Sequence, residues 1–481
     1  MAQPEDRGTG MSPGSALLPE VPRELAGRRL SLRTIVLFFG PGAIIASLTV
    51  GSGETVLASR LGAVFGYAIL WLVVVGAVAK AAIIYASNRY IVLTGEHPMS
   101  GLATAIPGPR GWFPAVIGAL AVLSFPFVAS ALATGIGSYL EIVFGGPAVA
   151  WGLVLLVLAA ALAWFGWYAL LERAQVAIVS LKVALVVVAV FAAQPQWLDV
   201  IAGFVPQGFG YEAFVFTEYP DIADRSVWIE AVVFMGGLGG GMYDYIGYAG
   251  LMREKRWGAL GLPGRESATA GPLALTDTPQ ERERVRGWSR APLGDVVLGF
   301  TAMALTAIAF VITGKEILGA AHNVPNGQNV LTYQGDVLGV IHPVFRYFYV
   351  LAIIMVFFGT MYALWEVYSR TTYESLSAVS EKVQTAGIRT TRTVVYAYIL
   401  LVGAALVLSG ADLVALITPA NIVGGTLACG IYGLGLLVLE RRAFPAALRT
   451  RPAARVLVAV SSVVLSGAGF VALGQYVGVL Q

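Results

Sequence analysis

The sequence predicts an all-α membrane protein with eleven transmembrane helices, the first and sixth of them broken in mid-membrane. Three observations carry that prediction. Of 481 residues, 57% are hydrophobic and only 12% charged, against roughly 25% charged in a soluble chain. Eleven stretches meet the requirement of about 20 mainly apolar residues for a helix that crosses a bilayer. Two of those stretches are interrupted by glycines with an acid close behind: "TVGSGETVLA" at 49–58 and "FMGGLGGGMYDYIGYAG" at 234–250.

The first thirty residues are polar and rich in Pro, Gly and Arg, with no apolar h-region. They read as a disordered cytoplasmic tail, not a cleaved signal, and residues 31–481 as the membrane domain. The spans run roughly 34–62, 66–93, 113–144, 147–167, 173–194, 228–252, 293–314, 343–369, 393–409, 412–439 and 455–476. Basic residues set the orientation. With the N-terminus cytoplasmic, the inner segments carry Arg23, Arg28, Arg29, Arg33, the 253–290 cluster, Arg370, Lys382, Arg389, Arg392 and the run from Arg441 to Arg455. The outer ones hold Arg60, Arg225, Lys315 and Arg346. An odd number of spans then places the C-terminus on the extracellular or periplasmic side of the cell membrane.

Several classes are excluded by composition. A net charge of +3 is too small to argue for nucleic acid, and a single cysteine, Cys429, allows no intramolecular disulfide or Cys-rich metal cluster. His97, His322 and His342 lie at span ends or in loops. No zinc-binding helix, phosphate loop or nucleophile elbow occurs, so no enzyme and no bound cofactor is expected. A channel would need a filter repeated around an axis, which a single pair of glycine breaks does not supply. The expected partners are the lipid bilayer and a small ion or molecule, and a monomer suffices.

Glycine loses the most backbone entropy in a helix. Freed backbone groups are tolerated in a bilayer only within protein or beside a water-filled cavity. Paired glycine-broken spans five helices apart point to an inverted-repeat transporter of the LeuT type, with its site at the midplane. Spans 1–5 (about 31–194) and 6–10 (about 226–440) would be the repeats, and 455–476 an added helix. Close helix packing is the plainer reading of the same glycines. The expected substrate site comprises Gly51, Ser52 and Glu54 from the first break, with Gly239, Gly240, Tyr243 and Asp244 from the sixth. Thr49 and Tyr245 are minor members. Two carboxylates and exposed carbonyls make a hard oxygen site suited to Mg²⁺, Ca²⁺ or Mn²⁺, with Glu54 and Asp244 as metal ligands. Alternatively one acid merely caps the helix restart.

Lys80 and Lys182 sit mid-span as coupling or charge-balancing residues. They could pair with Glu54, Asp244 or Glu366, or supply charge to an anionic or amino-acid substrate. By span and depth, Lys182 resembles the lysine that stands in for bound sodium in sodium-independent relatives of the LeuT-type fold. Asn421, beside Pro419 in span ten, is a further candidate.

The stretches "GPGAIIASLTVGSGE" and "FGYAILWLVVVGAVAKAAIIYASNRYIVLTG" resemble the opening of the Nramp family of divalent-metal transporters. The match rests on Gly40, Pro41, Gly42, Gly66, Tyr67, Leu70, Trp71, Thr94 and Gly95. The resemblance implies eleven spans and a divalent ion as substrate, with a span-ten amide at the metal, here Asn421. The departures matter as much. The family's Asp-Pro-Gly-Asn falls on Gly51, Ser52, Gly53 and Glu54, and its Met-Pro-His falls within Gly237 to Met242, with Met242 a displaced sulfur candidate. Its two span-three acids fall on Ala131 and Thr134. Proton coupling is accordingly expected to be weak or absent.

Overall fold

The computed structural model describes residues 17–26, 53–165, 184–265, 271–326, 329–340 and 342–480. Gly51, Ser52, Lys182, Thr49, residues 34–52 of span one, residues 173–183 of span five, and residues 1–16 and 27–30 of the expected tail lie outside them. The described tail residues depart from the expected disorder: Leu18 and Leu25 are buried, and Trp288 Nε1 donates to Pro19 O at 3.0 Å. The described residues are helical and contain no strand.

Eight helices among them are long and apolar enough to cross a membrane, which supports the all-α membrane class without fixing the count at eleven. The first begins in a π-helical turn, Gly53–Leu57, continues as α1 (Ala58–Phe65), and passes through a 3-10 turn into α2 (Leu70–Thr94). α3 (Trp112–Phe144) and α4 (Ala148–Phe165) follow. α3 runs on through Pro126, a residue that membrane helices tolerate when neighbours re-satisfy the freed backbone group. The expected sixth span is two short helices, α5 (Val227–Gly237) and α6 (Met242–Lys255). A short amphipathic helix, α7 (Pro279–Trp288), precedes α8 (Arg290–Thr313). α9 (Pro343–Ser377) starts at Pro343 with His342 as its cap. α10 (Glu381–Leu408) bends at Gly387, whose φ is +74°. Span ten is divided into α11 (Leu413–Ala420), a π turn Asn421–Leu427, and α12 (Ala428–Ala443); α13 (Pro452–Tyr476) closes the chain.

α3 packs on α4, α9, α10 and α11, while α1 and α2 pack on α8. The broken elements lie between these groups: α5 meets the span-ten π turn and the Gly53–Leu57 turn, and α6 lies along α9. Large apolar side chains such as Val157, Leu401, Leu408 and Phe470 remain exposed on the outer helices. That is the reverse of a soluble surface and matches a perimeter in lipid.

Arg60 is a correction to the charge count above. It is not an outer-loop residue but lies fully buried on α1, donating to both carboxylate oxygens of Glu230 at 3.2 and 2.8 Å and to the Pro325 carbonyl at 3.0 Å. Glu366, offered above as a lysine partner, accepts from Arg370 at 3.0 Å and Arg392 at 2.6 Å.

Candidate functional site

The sixth-span break follows from its glycines. Gly239 and Gly240 have φ of +72° and +78°, a region that a Cβ makes costly. Leu238 and Gly241 are extended, so the chain leaves α5, turns through four residues and restarts as α6. The turn leaves the carbonyls of Gly236, Leu238, Gly239 and Gly240 to find acceptors' partners outside the helix.

They find them in two side chains. Lys80, fully buried in the middle of α2, donates to Gly236 O at 2.8 Å, Leu238 O at 2.8 Å and Gly240 O at 2.6 Å. Three acceptors around one Nζ require three N–H groups, so the amine is an ammonium. The Tyr245 hydroxyl donates to Gly239 O at 3.1 Å and lies 3.4 Å from Gly240 O. Among the described acids none pairs with Lys80 within salt-bridge distance. Its role is that of a tethered cation holding an unwound segment.

The acids complete the frame. Glu54 Oε1 accepts from Gly239 N at 2.5 Å, tying the first span's π turn to the break opposite it. A Cβ built on Gly237 would lie 3.2 Å from Gly53 Cα, so the sixth-span break and the Gly53–Leu57 turn are in backbone contact. Asp244 Oδ2 accepts from Gly241 N at 2.7 Å and caps the restart of α6. The capping alternative is therefore realised at Asp244, but by one oxygen. Oδ1 is buried and has no hydrogen-bond partner among the described residues.

Glu54, Asp244, Tyr243, Thr360, Tyr368 and Asn421 line a cavity of about 50 Å³. That volume holds a bare ion with a few waters, since one water needs about 10–15 Å³. The Tyr243 ring stands edge-on to Phe125 and Tyr368, which stack at 3.9 Å. Asn421 Nδ2 donates to Val233 O at 3.0 Å, which orients the amide at the cavity wall. Met242 is fully buried as the first residue of α6 and does not line the cavity. Among the described residues no three His, Cys, Asp or Glu side chains cluster as a metal site. An ion here would be completed by carbonyl, hydroxyl, amide or water oxygens.

Buried ion pairs lie on either side of the break. Arg60–Glu230 ties α1 to α5, and Arg253–Glu374 ties α6 to α9, with His97 Nδ1 3.9 Å from Glu374. Thr360, Tyr368 and Glu230 were not singled out from the sequence. Their signal, a polar residue inside an apolar span, was there but is shared by many positions.

A multi-pass helical membrane protein whose broken sixth span faces the π turn of its first described span across a small polar cavity fits the LeuT-type fold. Comparison with known structures agrees. The manganese transporter of Eremococcus coleocola superimposes with a TM-score of 0.64 at 14% identity, covering 95% of this chain and 89% of that one. Mhp1, a nucleobase-cation-symport-1 family transporter, gives 0.53 at 14% identity, covering 90% of each chain. Within that fold, residues 42–474 match the model for natural resistance-associated macrophage protein-like sequences, and the chain belongs to the Nramp family. A divalent metal cation transporter, MntH of Brucella suis biovar 1 (strain 1330), is 28% identical over 198 residues, spanning 40% of this chain and 42% of that protein.

Proposed function

We propose that this chain is a secondary transporter that moves a hard divalent cation, Mg²⁺- or Mn²⁺-like, by alternating access, with weak or no proton coupling. The observation that carries this reading is the buried Asp244 Oδ1, left without a partner in a small cavity that Glu54 also lines. A desolvated carboxylate oxygen is costly unless paired, and a cation entering the cavity would supply the pair. Glu54, Asp244 and Lys80 carry a formal charge of about −1 together, which favours a cation over an anion. The carbonyl, hydroxyl and amide oxygens nearby suit a hard ion.

The alternative, an anion or amino acid held by lysine, loses support at Lys80, because all three of its N–H groups already serve the break carbonyls. Weak proton coupling is supported by α3, where Ala131 and Thr134 present no ionisable group. The manganese and divalent-metal relatives support the substrate class. The repeat boundaries proposed are about 31–194 and 226–440 with an added helix at about 455–476, in a cell membrane with the N-terminus cytoplasmic and the C-terminus outside. Convergence of Arg282, Arg286 and Arg290 with Arg449 and Arg451 on one face supports that orientation.

The test is flux into proteoliposomes, comparing Mn²⁺, Mg²⁺, amino acids and bicarbonate with and without a pH gradient. Uptake of the divalent ions that is indifferent to the gradient is expected. Uptake of bicarbonate or an amino acid without divalent transport would overturn the reading.

A further inference from the structure

At the arginine-rich end of the protein, two cavities join. One, of about 270 Å³, is an apolar groove between α2, α8, α12 and α13. Its walls include Val78, Val297 and Leu457, which are 46%, 49% and 42% exposed, so the groove opens on the perimeter where lipid chains lie. The other, of about 740 Å³, is a bowl lined by Arg89, Arg282, Arg286, Arg290, Arg449 and Arg451, with no carboxylate among its described lining residues; Glu440, in the adjoining groove, is held by Arg89 and Thr450. The two share Tyr85, Arg89, Leu293, Thr450 and Ala454, so the bowl drains directly into the groove.

The arginines are not equally occupied. Arg89 is held by Ser289, Glu440 and the Leu448 carbonyl, Arg449 by the carbonyls of Phe444 and Arg441, and Arg282 by Asp277. Arg286 and Arg451 are exposed, and neither makes a hydrogen bond or ion pair to a described residue. Arg455 lines the apolar groove with its Nε buried and unpartnered. The site thus offers six guanidinium groups around an open bowl, two with no described partner, and a buried N–H donor at the head of an apolar trough.

We propose that this paired cavity is a binding site for an anionic diacyl phospholipid, its phosphate in the arginine bowl and an acyl chain in the groove between α2, α8 and α13. Charge complementarity selects an anionic headgroup, because guanidinium groups pair with phosphate oxygens in two-point contacts. Continuity with the apolar groove selects a lipid over a free phosphate. Basic pockets between transmembrane helices are where such headgroups settle. The lipid would brace α2, which also carries Lys80 nine residues away, against α13.

The full-length protein is purified in detergent and titrated with phosphatidylglycerol or phosphatidylcholine, bound lipid being counted by native mass spectrometry. One phosphatidylglycerol is expected to be retained per chain and phosphatidylcholine to be lost. Arg286→Gln and Arg451→Gln should each weaken retention about fivefold, and together roughly 25-fold, at about 1 kcal/mol per basic residue. Both side chains are exposed, so melting without lipid should be unchanged. Ala454→Phe narrows the passage between bowl and groove, and should weaken phosphatidylglycerol without affecting glycerol phosphate. Equal retention of both lipids, full retention by the double variant, or saturation by glycerol phosphate alone with Ala454→Phe inert would each overturn the proposal.

Discussion

Replacing Lys80 tests the central geometry of the site. Its ammonium satisfies three carbonyls of the unwound sixth span, of which Gly240 O alone also has the Tyr245 hydroxyl, at 3.4 Å. A buried acceptor left without a donor costs about 1–3 kcal/mol. Lys80→Met keeps the length and removes every donor, so its cost should reach roughly 3–9 kcal/mol if water cannot reach the carbonyls. That is comparable to the whole stability of a typical domain, about 5–15 kcal/mol. Lys80→Ala differs, because it vacates the space around the carbonyls, and a small monovalent cation can occupy it. The assay is the thermal unfolding midpoint of purified parent and variants in choline, sodium or ammonium chloride at equal ionic strength. Lys80→Met should unfold well below the parent in all three salts. Lys80→Ala should do so in choline and recover in sodium or ammonium. In flux, removal of the fixed charge should tighten cation binding and slow release, lowering maximal rate. A Lys80→Met protein as stable as the parent in every salt would refute the argument that the ammonium holds the break.

Glu54→Gln and Asp244→Asn should each weaken divalent-cation affinity roughly ten- to a hundredfold, the value of one charge-assisted contact of about 1.5–3 kcal/mol. Asparagine keeps an oxygen for the Gly241 N–H, so folding should survive, and affinity equal to the parent's in a flux titration would count against the cation site. Arg60→Gln or Glu230→Gln strands a buried charge and should destabilise by about 3–5 kcal/mol in chemical unfolding. The pair Arg60→Met with Glu230→Leu should cost less than the sum of the singles, and strict additivity would mean that the ion pair is not coupled. Gly239→Ala forces a Cβ to within 2.9 Å of the Phe300 ring at a positive φ, so it should lose transport, whereas Gly145→Ala, at a positive φ with open space around it, should lose little. Equal effects would show that backbone strain, not the packed break, is responsible.

The class of fold was legible in the sequence because a bilayer imposes a one-dimensional rule. Apolar runs of about 20 residues must be helices, and the interruptions must border protein or water. The glycines from Gly236 to Gly241 therefore announced the sixth break, and two of them adopt the positive φ that made glycine necessary. The neighbourhood of Glu54 and Asp244 followed from the pairing of the breaks, and both line one cavity. What sequence could not decide is which partner each buried charge takes, because partners come from helices distant along the chain. Lys80 was expected to face a carboxylate or a substrate. It faces backbone carbonyls some 156 to 160 residues away, and a carbonyl carries no residue identity to read. Arg60 looked like a surface charge until the fold brought Glu230 to it, 170 residues on. Each charge was visible as a misplaced letter in an apolar run; the packing of helices alone determined what neutralises it, because a charge buried away from water stays only where three-dimensional neighbours replace that water.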